Sequence, residues 1–229
     1  MTLAGGSGDT GCTDADCCGC ESSALKGGPS GVEFGDHRLD SVQWAVRAAA
    51  FRLLLDEGQP AAMTSIAEAA GVGVTTTLEV LEGFAKTGNV SFAGDQVVGI
   101  AGLSVEPTQH RIHLAAGRRW TWCALDAVGI VGAIGDGVIH SEMAQCPVQV
   151  HVKDGEVEST NLAVFVADGY GMTSAVDQWC PLVNFFATLE SATAWAEEFG
   201  VAGRSIPVTT IAPQLIERWR LVLNHHQPD

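Results

Sequence analysis

The sequence predicts an α+β fold in which a helical, winged-helix-like N-terminal domain packs on a mixed, mostly antiparallel sheet core with flanking helices. Three observations predict it. Apolar residues recur at intervals of three and four between residues 37 and 86, where glycines break the runs. Alternating apolar residues and hairpin turns follow, between residues 89 and 166. Helical spacing then returns from residue 191 to the end.

Residues 1–35 are rich in Gly, Ser and Asp and poor in large apolar groups, so they bury too little surface to offset ordering and are expected to form a flexible tail. From His37 to Glu57, Leu39, Val42, Val46, Ala49 and Leu53 mark an amphipathic helix closed by Gly58 and Pro60. A short helix opens at Thr64, Gly71 and Gly73 break it, and Thr75 to Lys86 restarts with Leu78, Leu81 and Phe84 on one side. Asn89 to Ile100 completes this unit as a hairpin turning at Gly94-Asp95. These elements define a second region, residues 36–103, with a winged-helix silhouette.

The third region, residues 104–229, changes character. Arg111 to Ala115 reads as a strand, Trp120 to about Ile134 as a helix and Gly137 to His140 as a strand. Val148, Val150 and Val152 alternate with polar neighbours before the Asp154-Gly155 turn, and Leu162 to Val166 follows as a buried strand. Ser191 to Phe199 and Thr210 to Asn224 are closing helices. The second carries Ile211, Leu215, Ile216, Trp219 and Leu223 inward, with Pro213 in its first turn.

Charge narrows the function. Against 12 basic residues stand 27 acidic ones, a formal charge of -15, and such a surface repels phosphate backbones. From Thr64 to Gly102 there is one base, Lys86, against four acids, Glu68, Glu79, Glu82 and Asp95. The helix-turn-helix pattern therefore reads as a packing framework, with no nucleic acid as partner. No segment reads as a signal peptide or a membrane span, and the seven cysteines, an odd number, suit thiols kept reduced in the cytoplasm.

The chemistry centres on Trp120-Thr121-Trp122-Cys123-Ala124-Leu125-Asp126-Ala127. On a helix, Cys123 and Asp126 would share a face and address one small molecule. A carboxyl in an apolar helix, with no base nearby, should have a raised pKa and could exchange a proton near neutrality. The same residues also fit a small buried thiol and a capping carboxylate, and the local pattern leaves both readings open. Cys180, between Trp179 and Pro181, offers a second thiol on a fixed, water-poor strand edge or loop. Two cysteines without a CxxC pattern make a poor zinc site but suit a soft ion that accepts two thiolates, as Hg(II) does.

Trp122-Cys123-Ala124-Leu125-Asp126, an aromatic-Cys segment some fifty residues later running into Asn184-Phe185-Phe186-Ala187, and then a Trp195 helix together resemble the organomercurial (alkylmercury) lyase family over roughly 190 residues. The resemblance implies protonolysis of a carbon–mercury bond, giving a hydrocarbon and Hg(II). It implies that Cys123 and Cys180 bind mercury and that Asp126 handles the proton and lies against the Hg(II) product. It also implies that no organic cofactor is needed and that Hg(II) passes to low-molecular-weight thiols or a mercuric reductase. His140-Ser141 stands where many members have His-Cys, and reads as a tolerated core exchange.

Cys12, Cys17, Cys18 and Cys20 crowd into the tail and are candidates for an accessory soft-metal arm. His225-His226 reads as a solvated terminus, and Trp44, Trp120, Trp122 and Trp219 as packing. The competing function is a thiol-based soft-metal protein, for mercury or copper, that stores or senses without cleaving. Asp126 argues against it, since a store needs no proton donor.

Overall fold

The computed structural model describes residues 39–143, 146–158, 161–169 and 171–224. The expected tail with Cys12, Cys17, Cys18 and Cys20, the Cys146 side chain and His225-His226 lie outside the described residues.

The first helix, α1 (Ser41–Glu57), starts later than the apolar spacing suggests because Asp40 caps it: its side chain accepts from Gln43 N while Gln43 returns a bond to Asp40 N. It is buried on more than one face, by Val46, Ala50, Phe51, Leu54 and their neighbours, and is a central helix rather than a surface one. Strand β1 (Ala61–Ala62), α2 (Met63–Ala70) and α3 (Val74–Ala85) follow. Of the three residues expected inward on α3, Leu81 is fully buried, Phe84 packs at the core edge, and Leu78 is 41% exposed.

Strands β2 (Val90–Ala93) and β3 (Gln96–Ile100) form the expected hairpin. Next come β4 (Leu103–Ser104), β5 (His110–Leu114), β6 (Gly117–Thr121) and α4 (Ala124–Ile134). Residues 120 and 121, expected in this helix, belong to the preceding strand, where Thr121 pairs with His110 and Leu103. Strands β7 (Gly137–Met143), β8 (Cys146–Lys153) and β9 (Glu156–Val157) complete a nine-stranded sheet ordered β1-β3-β4-β6-β5-β7-β8-β9, with β2 on β3. A smaller sheet orders β11 (Asn184–Phe186), β10 (Ala163–Ala167) and β12 (Gly203–Pro207). Every described pairing is antiparallel, so the sheets are simpler than the mixed arrangement expected.

Between β10 and β11 the chain makes a π-helical turn, Ala175–Trp179, and then a 3-10 turn, Cys180–Leu182. Helices α5 (Leu189–Phe199) and α6 (Val208–Asn224) close the fold. Because α6 begins at Val208, Pro213 falls in its second turn rather than its first. Its inner face, Ile211, Leu215, Ile216, Trp219 and Val222, packs along α4. The approach is close: a Cβ on Gly129 would lie 1.8 Å from Trp219 Cδ1, and one on Gly132 would lie 2.4 Å from Ile216 Cγ1. Buried residues from α1 to α6 form one continuous core. Among the described residues no helix is long and apolar enough to cross a membrane.

Candidate active site

Cys123 is the residue where strand becomes helix. Its backbone is extended, φ -147° and ψ 172°, and it occupies the N-cap of α4, so Asp126 stands in the first helical turn. The expected pairing across a helix face is replaced by a tighter one across a helix start. The Cys123 thiol donates to Asp126 Oδ2 at 3.0 Å, and the carboxylate also accepts from the Cys123 backbone N–H. The carboxylate thus forms the half of a capping box in which the third helical residue accepts from the N-cap N–H, while the Cys123 thiol faces that carboxylate and does not itself cap the helix.

Three backbone bonds fix this corner. Trp122 N donates to Gly102 O at 2.9 Å, Ala124 N to Val183 O at 3.1 Å, and Ala127 N to Cys123 O at 3.1 Å. The second bond ties the start of α4 to the segment after Cys180. Cys180 opens the 3-10 turn, where a strand edge or loop was expected; its N–H bonds Ala175 O and its carbonyl accepts from Val183 N at 3.0 Å. Trp179 anchors the turn by donating its indole N–H to Ala167 O at 2.8 Å.

Together these constraints bring Cys123 Sγ, an Asp126 carboxylate oxygen and Cys180 Sγ within 4.8 Å of one another. All three residues are buried, and both cysteines are free thiols. Burial pushes the Asp126 carboxyl up to about 6, opposed by the Cys123 thiol, the charge of Arg218, the Cys123 N–H and the charge of Arg47. Two bases therefore act on a carboxyl expected to have none nearby. Cys123 is raised well above an ordinary thiol, by burial first and then by Cys180 and Asp126. The Cys123 contact lowers the Cys180 pKa, but burial and the charges of Asp126 and Asp177 outweigh it, and the thiol ends up raised. Near neutral pH the resting site is thus two thiols beside an ionising carboxylate.

The wall against Asp126 comes from the β3–β4 turn, Ala101-Gly102. Both residues have positive φ, 52° and 86°, and a Cβ on Gly102 would lie 2.3 Å from Asp126 Cγ. This contact was not expected from the sequence; its only signal is a glycine between two apolar runs. The Ser141 hydroxyl, read as a core exchange, is buried and bonds His110 Nδ1 at 3.0 Å.

Residues 103–220 match the family model described as MerB, alkylmercury lyase. The chain belongs to the alkylmercury lyase family. A Streptomyces lividans protein described as an alkylmercury lyase is 27% identical over 166 residues, which cover 70% of this chain and 73% of that protein. The crystal structure of the mercury-bound form of MerB2 superposes with a TM-score of 0.73 at 22% identity, covering 82% of this chain and 94% of that one. That likeness carries the fold; the family assignment rests on the matched residues, which include Cys123, Asp126 and Cys180. An alkylmercury lyase must bring a soft metal and a proton to one bond, and the cluster holds two thiols and a carboxyl within reach of each other.

Proposed function

We propose that this chain is an organomercurial lyase in which Cys123, Asp126 and Cys180 cleave a carbon–mercury bond by protonolysis. The observation that carries the assignment of residues is the buried cluster of two thiols and one carboxyl among the described residues. A substrate R–Hg–X, with X a small thiolate, exchanges X for Cys123; the Cys123 proton passes to Asp126 Oδ2 along the 3.0 Å contact. Cys180 then adds to mercury and gives up its own proton, which leaves with X as the free thiol. Rising coordination pushes electron density onto carbon, the C–Hg bond breaks, and Asp126 delivers its proton to that carbon. The balance is R–Hg–X plus two protein thiols giving RH, HX and Hg(II) held by two thiolates. Soft thiolates suit that product, and external thiols or a reductase are its expected acceptors. No step calls for an organic cofactor.

The same reading covers the rest of the chain. Helices α1 to α3 with the β2–β3 hairpin form a winged-helix-like framework used for packing, as the lack of arginine on α3 supports. Residues 36–103 and 104–229 are two regions sharing one core. Reduced thiols at the centre favour the cytoplasm, and Cys12, Cys17, Cys18 and Cys20 are proposed to collect soft metal for this site.

The test is phenylmercury with excess small thiol, followed by measurement of benzene. Cys123→Ala and Cys180→Ala should each abolish release while keeping the fold, because each supplies one thiolate to the same metal. Near-normal turnover by either variant would remove the two-thiol mechanism. Tight Hg(II) binding by wild type without any benzene would instead favour a store.

A further inference from the structure

Outside the reacting trio a buried polar chain runs from β5 to the turn that presents Cys180. His110 on β5 is 1% exposed and pushed down to about 4 by burial, against a raising contact with Asn184, so it is neutral. Its Nδ1 meets Ser141 Oγ at 3.0 Å. With that nitrogen engaged, Nε2 is left to serve the Asn184 amide. Asn184 is 2% exposed and sits on β11 opposite Phe165. Its Nδ2 donates to Pro181 O at 2.8 Å, while among the described residues Oδ1 has the His110 contact as its neighbour but no hydrogen bond of regular geometry. Pro181 is the residue next to Cys180, inside the 3-10 turn that presents the thiol.

We propose that Asn184, held by His110 and Ser141, is a positioning residue for Cys180: its grip on the Pro181 carbonyl sets the second thiol at clamping distance from Cys123. The proline suits this role, since its ring fixes φ and lets a pull on its carbonyl be felt at the preceding residue. Asn184 touches no reacting atom; it acts through the turn as an outer partner acts on a metal ligand. The inference rests on the proposed function for the role of Cys180.

The experiment uses Hg(II) itself as the probe, in competition with a small dithiol, and reads thiolate-to-mercury charge-transfer absorption beside single-turnover benzene release. Asn184→Ala should lose about 10- to 100-fold in both Hg(II) retention and cleavage, as outer-shell changes at metal sites do. In a Cys180→Ala background the same substitution should change Hg(II) retention no further, because its target is gone. Wild-type retention in Asn184→Ala, or an equal loss with Cys180 absent, overturns the proposal. If Asn184→Ala does not fold, Ser141→Ala read in the same two backgrounds decides by the same criteria. The Hg(II) measurement stands even if wild type releases no benzene, so the failure of the lyase reading and the failure of this one are told apart.

Discussion

At the residue scale the site depends on a carboxyl kept from ionising as an ordinary aspartate does. Folding raises the Asp126 pKa from 3.8 to about 6, so the folded state binds the proton more tightly than the unfolded one. No penalty exists below pH 4; stability falls as pH climbs through 4 to 6, and above that range the full cost of about 3 kcal/mol is present. Asp126→Asn removes it. Urea unfolding should therefore show the variant gaining on wild type between pH 4.5 and pH 8, and an unchanged difference across that range would contradict the buried-carboxyl account. Activity has the opposite sense, rising through about pH 6 as the carboxylate becomes able to take the Cys123 proton. The sequence made the Cys123–Asp126 pair legible because they stand three positions apart. It did not show that Cys123 stands at the N-cap position of α4, because cysteine is not a usual residue there and the apolar run conceals the helix start. Nor did it show the approach of Gly102 to Asp126, a contact between distant segments, or the bond from Asn184 to Pro181 O, which depends on the 3-10 turn at Cys180.

The element that carries the site is α4, and its place is set by the glycines that face α6. Gly129→Ala would press a methyl group into the Trp219 ring. With the facing side of α6 buried, the expected cost is about 1–3 kcal/mol, with α4 displaced along its length. Thermal unfolding measures the first effect. The second should appear as slower benzene release from a protein that still folds, and a fully active, equally stable variant would show that the helices have room to part. Most strands and closing helices were legible because their periods are clean. The exceptions are instructive: the Trp120-Thr121 end of β6 runs straight into an apolar helix, and composition alone does not divide them. The Asp154-Gly155 turn announces itself by residue type, whereas Ala101 at positive φ does not, since alanine rarely adopts that conformation.

For the whole molecule, the principal feature is that the large sheet crosses from the second region into the third. β4 pairs with β3 on one side and β6 on the other. Arg119, on β6, is buried with its guanidinium donating to the carbonyls of Leu54, Leu55 and Asp56 at the end of α1. Removing residues 1–102 would leave that charge without those acceptors, orphan Trp122 N and expose the β4 edge. Residues 103–229 alone should accordingly lack a cooperative unfolding transition, as read by near-ultraviolet circular dichroism on heating. A sharp transition in that fragment would show that the third region carries its own core.

In the proposed mechanism one carboxyl separates a lyase from a two-thiol mercury trap. Asp126→Asn keeps both thiols and the size of the site, so it should still retain Hg(II), while the amide cannot carry a proton to carbon. Single-turnover benzene release from bound phenylmercury, compared with wild type at equal occupancy, tests this most directly. The account predicts that cleavage falls by about two to four orders of magnitude, the usual worth of a positioned acid–base group, with Hg(II) binding preserved. Cleavage within a few-fold of wild type would contradict it and return Asp126 to a helix-capping role.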